Sequence, residues 1–127
     1  MKTTIFKNPR KLTPNQEKWV DRYTLKAEDD AEFLVPPEDY HEVCEWETGW
    51  IDYVVDEEIF WIWSMYSNHP DANIGNIETF KIAYKLAKKH NCTAVEWDTS
   101  RPFKAWERLC KNYGKLKVVT RQLRIEI

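Results

Sequence analysis

Residues 69–80, HPDANIGNIETF, join a run of aromatic and aliphatic residues to a segment with helical periodicity. A strand that turns into a helix presents N–H groups with no intrahelical partner and a partial positive charge. Proteins often hold phosphate at such a junction. Here the cradle would be the backbone of Asn73, Ile74, Gly75 and Asn76. The stretch holds one glycine, Gly75, and no Lys or Arg, while Asp71 and Glu78 bring negative charge close to where an anion would sit. A lone glycine before a helix is a weak motif. The plain reading is therefore a helix entrance with Asn73 or Asn76 as its cap.

Other reactive side chains are scattered. Cys44, Cys92 and Cys110 make an odd count with no CxxC spacing, which argues against a zinc site or a disulfide framework and for a reducing cytosol; we expect no metal and a cytoplasmic protein. His41 and His90 have no partner at a telling spacing, and no nucleophile–base pair or P-loop is evident. Trp46, Trp50, Trp61 and Trp63 fall within eighteen residues. Most of them read as core, with Trp46 or Trp50 as the alternative for an interface.

Net charge is only −2, but residues 27–80 hold fifteen Asp and Glu and no Lys or Arg. All nineteen Lys and Arg lie in residues 1–26 and 81–127, against six acids. The simpler reading is that the two kinds of segment fold beside one another and neutralise. The sharper one is an acidic surface, residues 27–58, that meets a basic protein. A nucleic-acid partner would require the basic segments to converge on one face, and we expect none. No apolar run reaches the roughly 18 residues of a membrane span, and the first ten residues lack the apolar centre of a secretory signal.

The elements that position these groups can be read from periodicity. A basic strand or arm occupies residues 1–12. TPNQ at 13–16 opens a helix to about Lys26, with Thr13 as cap, Pro14 in the first turn and Gln16 reaching back, and with Trp19, Val20 and Tyr23 buried. Residues 27–42, with Pro36–Pro37, read as loop. Three antiparallel strands follow, at about 42–46, 50–55 and 59–66. On the last, Ile59, Trp61, Trp63 and Met65 point one way and Phe60, Ile62 and Tyr66 the other, as on a strand covered on both faces. A helix from about Asn76 to His90 buries Ile77, Phe80, Ala83, Tyr84 and Ala87. A short strand at 93–97, a helix with Phe103, Trp106, Leu109, Cys110 and Tyr113 on one stripe, and a closing strand from Leu116 to Ile127 complete the chain. The order β–α–β–β–β–α–β–α–β predicts one α/β (α+β) domain over 1–127, a mixed, mostly antiparallel sheet with helices on both faces.

That order, carried by IFWIWSMY, HPDANIGN, IETFKIAYKLAKKH, TAVEWD and PFKAWERLCKNYG, resembles the GNAT (Gcn5-related N-acetyltransferase) fold, most clearly over 59–127. The resemblance implies that acetyl-CoA enters where two parallel strands splay and that its pyrophosphate rests on the N–H groups of Asn73 to Asn76. Against the family pattern R/Q-x-x-G-x-G/A, Gly75 and Asn76 can be placed, but the basic residue and second glycine are missing. Against L-Y-x-x-x-G-F, aligned on Gly114, Cys110 stands at the Tyr position, with Tyr113 one turn on. These two are the candidates for protonating the leaving thiolate, Cys110 with an ordinary pKa of about 8.5; Cys110 also reads as a small core residue. Glu47, Glu57, Glu58 and His69 are the candidates for a general base. The resemblance further implies kinship with small divergent proteins of phages, some virion-associated. The resulting expectation is a GNAT-like protein with an eroded acetyl-CoA site and no cofactor, serving as a binding or structural component with a protein partner in a viral or host assembly. The alternatives are an active acetyl-CoA-dependent N-acetyltransferase and an acidic inhibitor of a basic protein.

Overall fold

A computed structural model describes residues 2–27, 31, 34–37, 40–98 and 108. The elements are β1 (Thr4–Lys7), α1 (Pro14–Ala27), β2 (Glu42–Trp46), β3 (Gly49–Asp56), β4 (Ile59–Ser67), α2 (Ala72–Lys89) and β5 (Ala94–Trp97). They follow the predicted order as far as they run. The helix expected around Cys110 and the closing strand lie outside the described residues. One sheet of order β1-β2-β3-β4-β5 is antiparallel except for its last pair. The β4–β5 pair is parallel, with Phe60 opposite Val95 and Ile62 opposite Trp97.

Helix α1 begins as its sequence predicts. The Gln16 side chain accepts a hydrogen bond from the Thr13 N–H at 3.0 Å, which is the returning half of a capping box. The other half is replaced by a distant partner: the Glu45 carboxylate accepts from the Asn15 N–H at 2.7 Å. Asn15 Nδ2 then donates to the carbonyls of Trp46 and Gly49, pinning the helix start to the β2–β3 hairpin. Trp19, with Val20 and Tyr23 beside it, packs on Val43, Trp50 and Tyr66 on one face of the sheet.

The opposite face is covered by α2, whose Ala83, Leu86 and Ala87 pack on Cys44, Trp46, Ile51, Tyr53, Phe60 and Ile62. All four tryptophans of the cluster lie in the sheet, and both Trp46 and Trp50 are core, at 3 % and 0 % exposure, rather than an interface platform.

Two details of facing differ from the periodicity reading. The first is in β4. Asp52 pairs with Ser64 and Tyr53 with Ile62, so Trp63 is an extra residue in the ladder. Such a bulge reverses the alternation of every side chain beyond it. Tyr66 therefore joins the α1-side cluster, not that of Phe60 and Ile62, and Met65 packs with the α2-side cluster. The second is in α2, which starts at Ala72 rather than near Asn76. Its buried row is Gly75, Thr79, Ala83 and Ala87, spaced by four and flanked by Phe80 and Leu86, while Ile77 is half exposed. Small residues along one row let a helix approach a sheet closely, so the packing face is set by size as well as by hydrophobicity. Helix α2 ends in a Schellman motif: Cys92 N–H donates to the Ala87 carbonyl and Asn91 N–H to that of Lys88, with Asn91 left-handed at φ 57°.

Candidate functional site

The C-terminal end of β4 and the first turn of α2 form the junction singled out in the sequence. Gly75 is buried there for steric reasons. A Cβ on Gly75 would lie 2.5 Å from Ser67 Oγ and 3.1 Å from His69 Cβ, so only glycine lets this turn of helix rest on the strand end.

The donors of that turn are already engaged. The cap is Asp71, not Asn73 or Asn76. One carboxylate oxygen of Asp71 accepts from the Asn73 N–H at 2.9 Å and from the Ile74 N–H at 3.2 Å. The Gly75 N–H donates to the Asp71 carbonyl at 2.9 Å. The first helical turn offers its partial positive charge to a carboxylate built into the chain, which is what an aspartate at this position does best. Asn73 and Ile74 are exposed, and Asn76 is half-buried one turn in.

His69 braces the same junction. Its Nδ1 lies 2.9 Å from the Asp71 backbone nitrogen and 3.1 Å from the Asp71 carbonyl oxygen, and its Nε2 lies 3.7 Å from Glu78 Oε1. Of the four general-base candidates, the structure brings His69 to the α2 entrance. Glu47 sits exposed in the β2–β3 turn at the same end of the sheet, where Asn68 N–H donates to the Thr48 carbonyl. Glu57 and Glu58 are exposed in the β3–β4 turn at the far end of β4. Cys110 and Tyr113 lie outside the described residues.

Beyond Ile62 and Trp97 the parallel ladder ends while β4 continues to Ser67. The bulge at Trp63 follows directly on the last residue of β4 paired with β5. The Phe80 ring meets Trp97 edge-on, with centroids 5.2 Å apart, where β5 stops.

One pair escaped the sequence reading altogether. His41 and Asp52 are buried, at 2 % and 0 % exposure, with Nδ1 and Oδ1 2.8 Å apart. The other ring nitrogen of His41 lies 2.7 Å from the Pro9 carbonyl. Burial works against a charged imidazole, but the Asp52 hydrogen bond and charge and the Pro9 carbonyl outweigh it and the nearby Arg10, so the His41 pKa is raised. Both ring nitrogens face acceptors, so the imidazolium satisfies them and the neutral ring satisfies only one. No spacing in the sequence announces this, because the strand register brings the two together. Neither described thiol is primed as a nucleophile: burial raises the pKa of Cys44, and burial and then Glu58 raise that of Cys92.

Compared with solved structures, the chain matches an aminoglycoside acetyltransferase from an uncultured soil metagenomic sample, in complex with sisomicin. The TM-score is 0.56 at 14 % identity, over 98 % of this chain and 97 % of that one. The fold is GNAT-like. A structure of the metagenomic acetyltransferase with trehalose superposes at a TM-score of 0.52 and 13 % identity, over 98 % of this chain and 97 % of that one. Aminoglycoside N-acetyltransferase AAC(6')-Iy in complex with CoA matches at 0.50 and 8 %, over 96 % of this chain and all of that one. No family model and no curated protein matches the sequence. Among the described residues of this GNAT-like chain, no helix is long and apolar enough to cross a membrane.

Proposed function

We propose that this GNAT-like chain is a non-catalytic binding or structural protein whose coenzyme entrance is closed by its own side chain. The observation that carries this reading is the Asp71 carboxylate on the Asn73 and Ile74 N–H groups. A pyrophosphate seated on those donors would have to displace Asp71 and then lie against its negative charge, with Glu78 one further turn along the helix. Like charges at such a distance oppose each other. Residues 69–80 supply no Lys or Arg to offset them. The phage or virion setting inferred from the family resemblance fits a role as a component of an assembly.

A second reading, an active N-acetyltransferase, is favoured by the parallel pairing of β4 with β5, and by a fold shared with acetyltransferases, one of them in complex with CoA. In that reading Cys110 or Tyr113 stands near the thiol.

One experiment separates the two. The full chain and an Asp71→Gly variant are melted with and without millimolar acetyl-CoA. A ligand present at a hundred times its Kd stabilises by about 2.7 kcal/mol. That corresponds to a rise of roughly 8–10 °C for a chain of this size. The proposal expects no rise for the unaltered chain and a measurable one for Asp71→Gly. A saturable rise of several degrees in the unaltered chain, with release of free CoA thiol in the presence of an amine, overturns it in favour of the enzyme.

A further inference from the structure

We infer that the outer edge of β1 is a docking site for an acidic, extended peptide segment of a partner protein, which adds to the sheet as a further strand. β1 is the first strand of the sheet and, among the described residues, is paired only with β2. The direction of its free groups follows from the ladder. Asn8 N–H donates to the His41 carbonyl, and Phe6 lies opposite Val43 two residues on. Backbone groups alternate sides along an antiparallel strand. Thr4, Phe6 and Asn8 therefore face β2, and Thr3, Ile5 and Lys7 turn their N–H and C=O groups outward.

The side chains of this edge suit an added strand. Ile5 packs half-buried against the α2-side cluster and Phe6 against the α1-side cluster. A neighbouring strand with apolar residues beside them would extend both layers of the core. The flanks decide the charge of the partner. Residues 1–12 contain no acid, and their lysines Lys2, Lys7 and Lys11 are exposed. A second copy of this chain pairing β1 to β1 would bring two such basic sets together, so lysines that repel self-association attract an acidic strand. Main-chain hydrogen bonds supply the affinity in this mode, and alternate side chains supply the specificity.

The test is a titration of the full chain, labelled with nitrogen-15, with a fluorescent acetyl-(Glu-Val)-repeat peptide amide, read by anisotropy and by amide exchange. The expected result is saturable binding that protects the Ile5 and Lys7 amides and weakens with salt. Lys7→Glu or Lys2→Glu should weaken it by about five-fold, since one attraction is lost and one repulsion gained. Each of four results overturns the inference: no saturable binding at millimolar peptide, equal binding by a (Glu-Pro)-repeat of the same charge, equal binding by a (Lys-Val)-repeat, or protection of the same amides by self-association without peptide. The two lysine variants together guard against a fold defect in either one, and circular dichroism confirms that each remains folded.

Discussion

Replacing Asp52 by Ala should be among the most damaging single changes in this protein, and its cost should depend on pH. The variant leaves His41 buried beside the Pro9 carbonyl with no carboxylate at Nδ1. Removing one member of a buried ion pair typically costs about 3–5 kcal/mol. His41 can relieve part of this by losing its proton, so the lower figure is expected. About 3 kcal/mol corresponds to a drop of roughly 10 °C in Tm for a domain of this length. The sign of the pH effect follows from the raised His41 pKa. A group whose folded pKa exceeds its unfolded value of 6.5 stabilises the fold fully below that value, and the contribution fades as pH rises through the folded pKa. The gap in Tm between the natural chain and Asp52→Ala should thus be widest at about pH 6 and narrower at about pH 9. Calorimetry at both values, with the His41 ring followed by NMR, makes the measurement. A variant that melts within a degree of the natural chain, or a gap that widens toward alkaline pH, would refute the account of His41 as an imidazolium held by two acceptors.

Two further outcomes follow from packing. Gly49→Ala should cost about 2–4 kcal/mol, because the new Cβ would collide with the Tyr66 carbonyl oxygen, a backbone atom, and sit 2.8 Å from the Trp46 ring; urea denaturation measures it. Cys44 should resist a thiol-specific reagent in the native state at neutral pH and react only on unfolding, since it is 1 % exposed and its pKa is raised; mass spectrometry of peptides after brief labelling reads this out.

Much of the architecture was legible in the sequence because it depends on neighbours. Thr13, Pro14 and Gln16 lie within one turn and announced α1. The aromatic and β-branched runs announced β2 to β4, and TAVEW announced β5 beside the central strand. The site was only half legible. The turn at 69–80 and its poverty in basic residues could be read directly, whereas the steric need for Gly75 against Ser67 could not. The cap could not: Asn73, Asn76 and Asp71 are all competent by type, and the choice depended on where the helix began. The helix starts at Ala72, four residues earlier than read, with Gly75 packed against Ser67.

Among the described residues, the sequence by itself determined which segments are helix or strand, and that the α2 entrance carries acids without bases, because capping, periodicity and local charge act over a few residues. Tertiary structure alone decided the rest. The bulge at Trp63 reversed the faces of Met65 and Tyr66, the register of β2 on β3 brought Asp52 to His41, and Glu45 was delivered to the start of α1. Each of these depends on how strands thirty or fewer residues apart align, and a shift of a single residue in that alignment would send every one of those side chains to the other face.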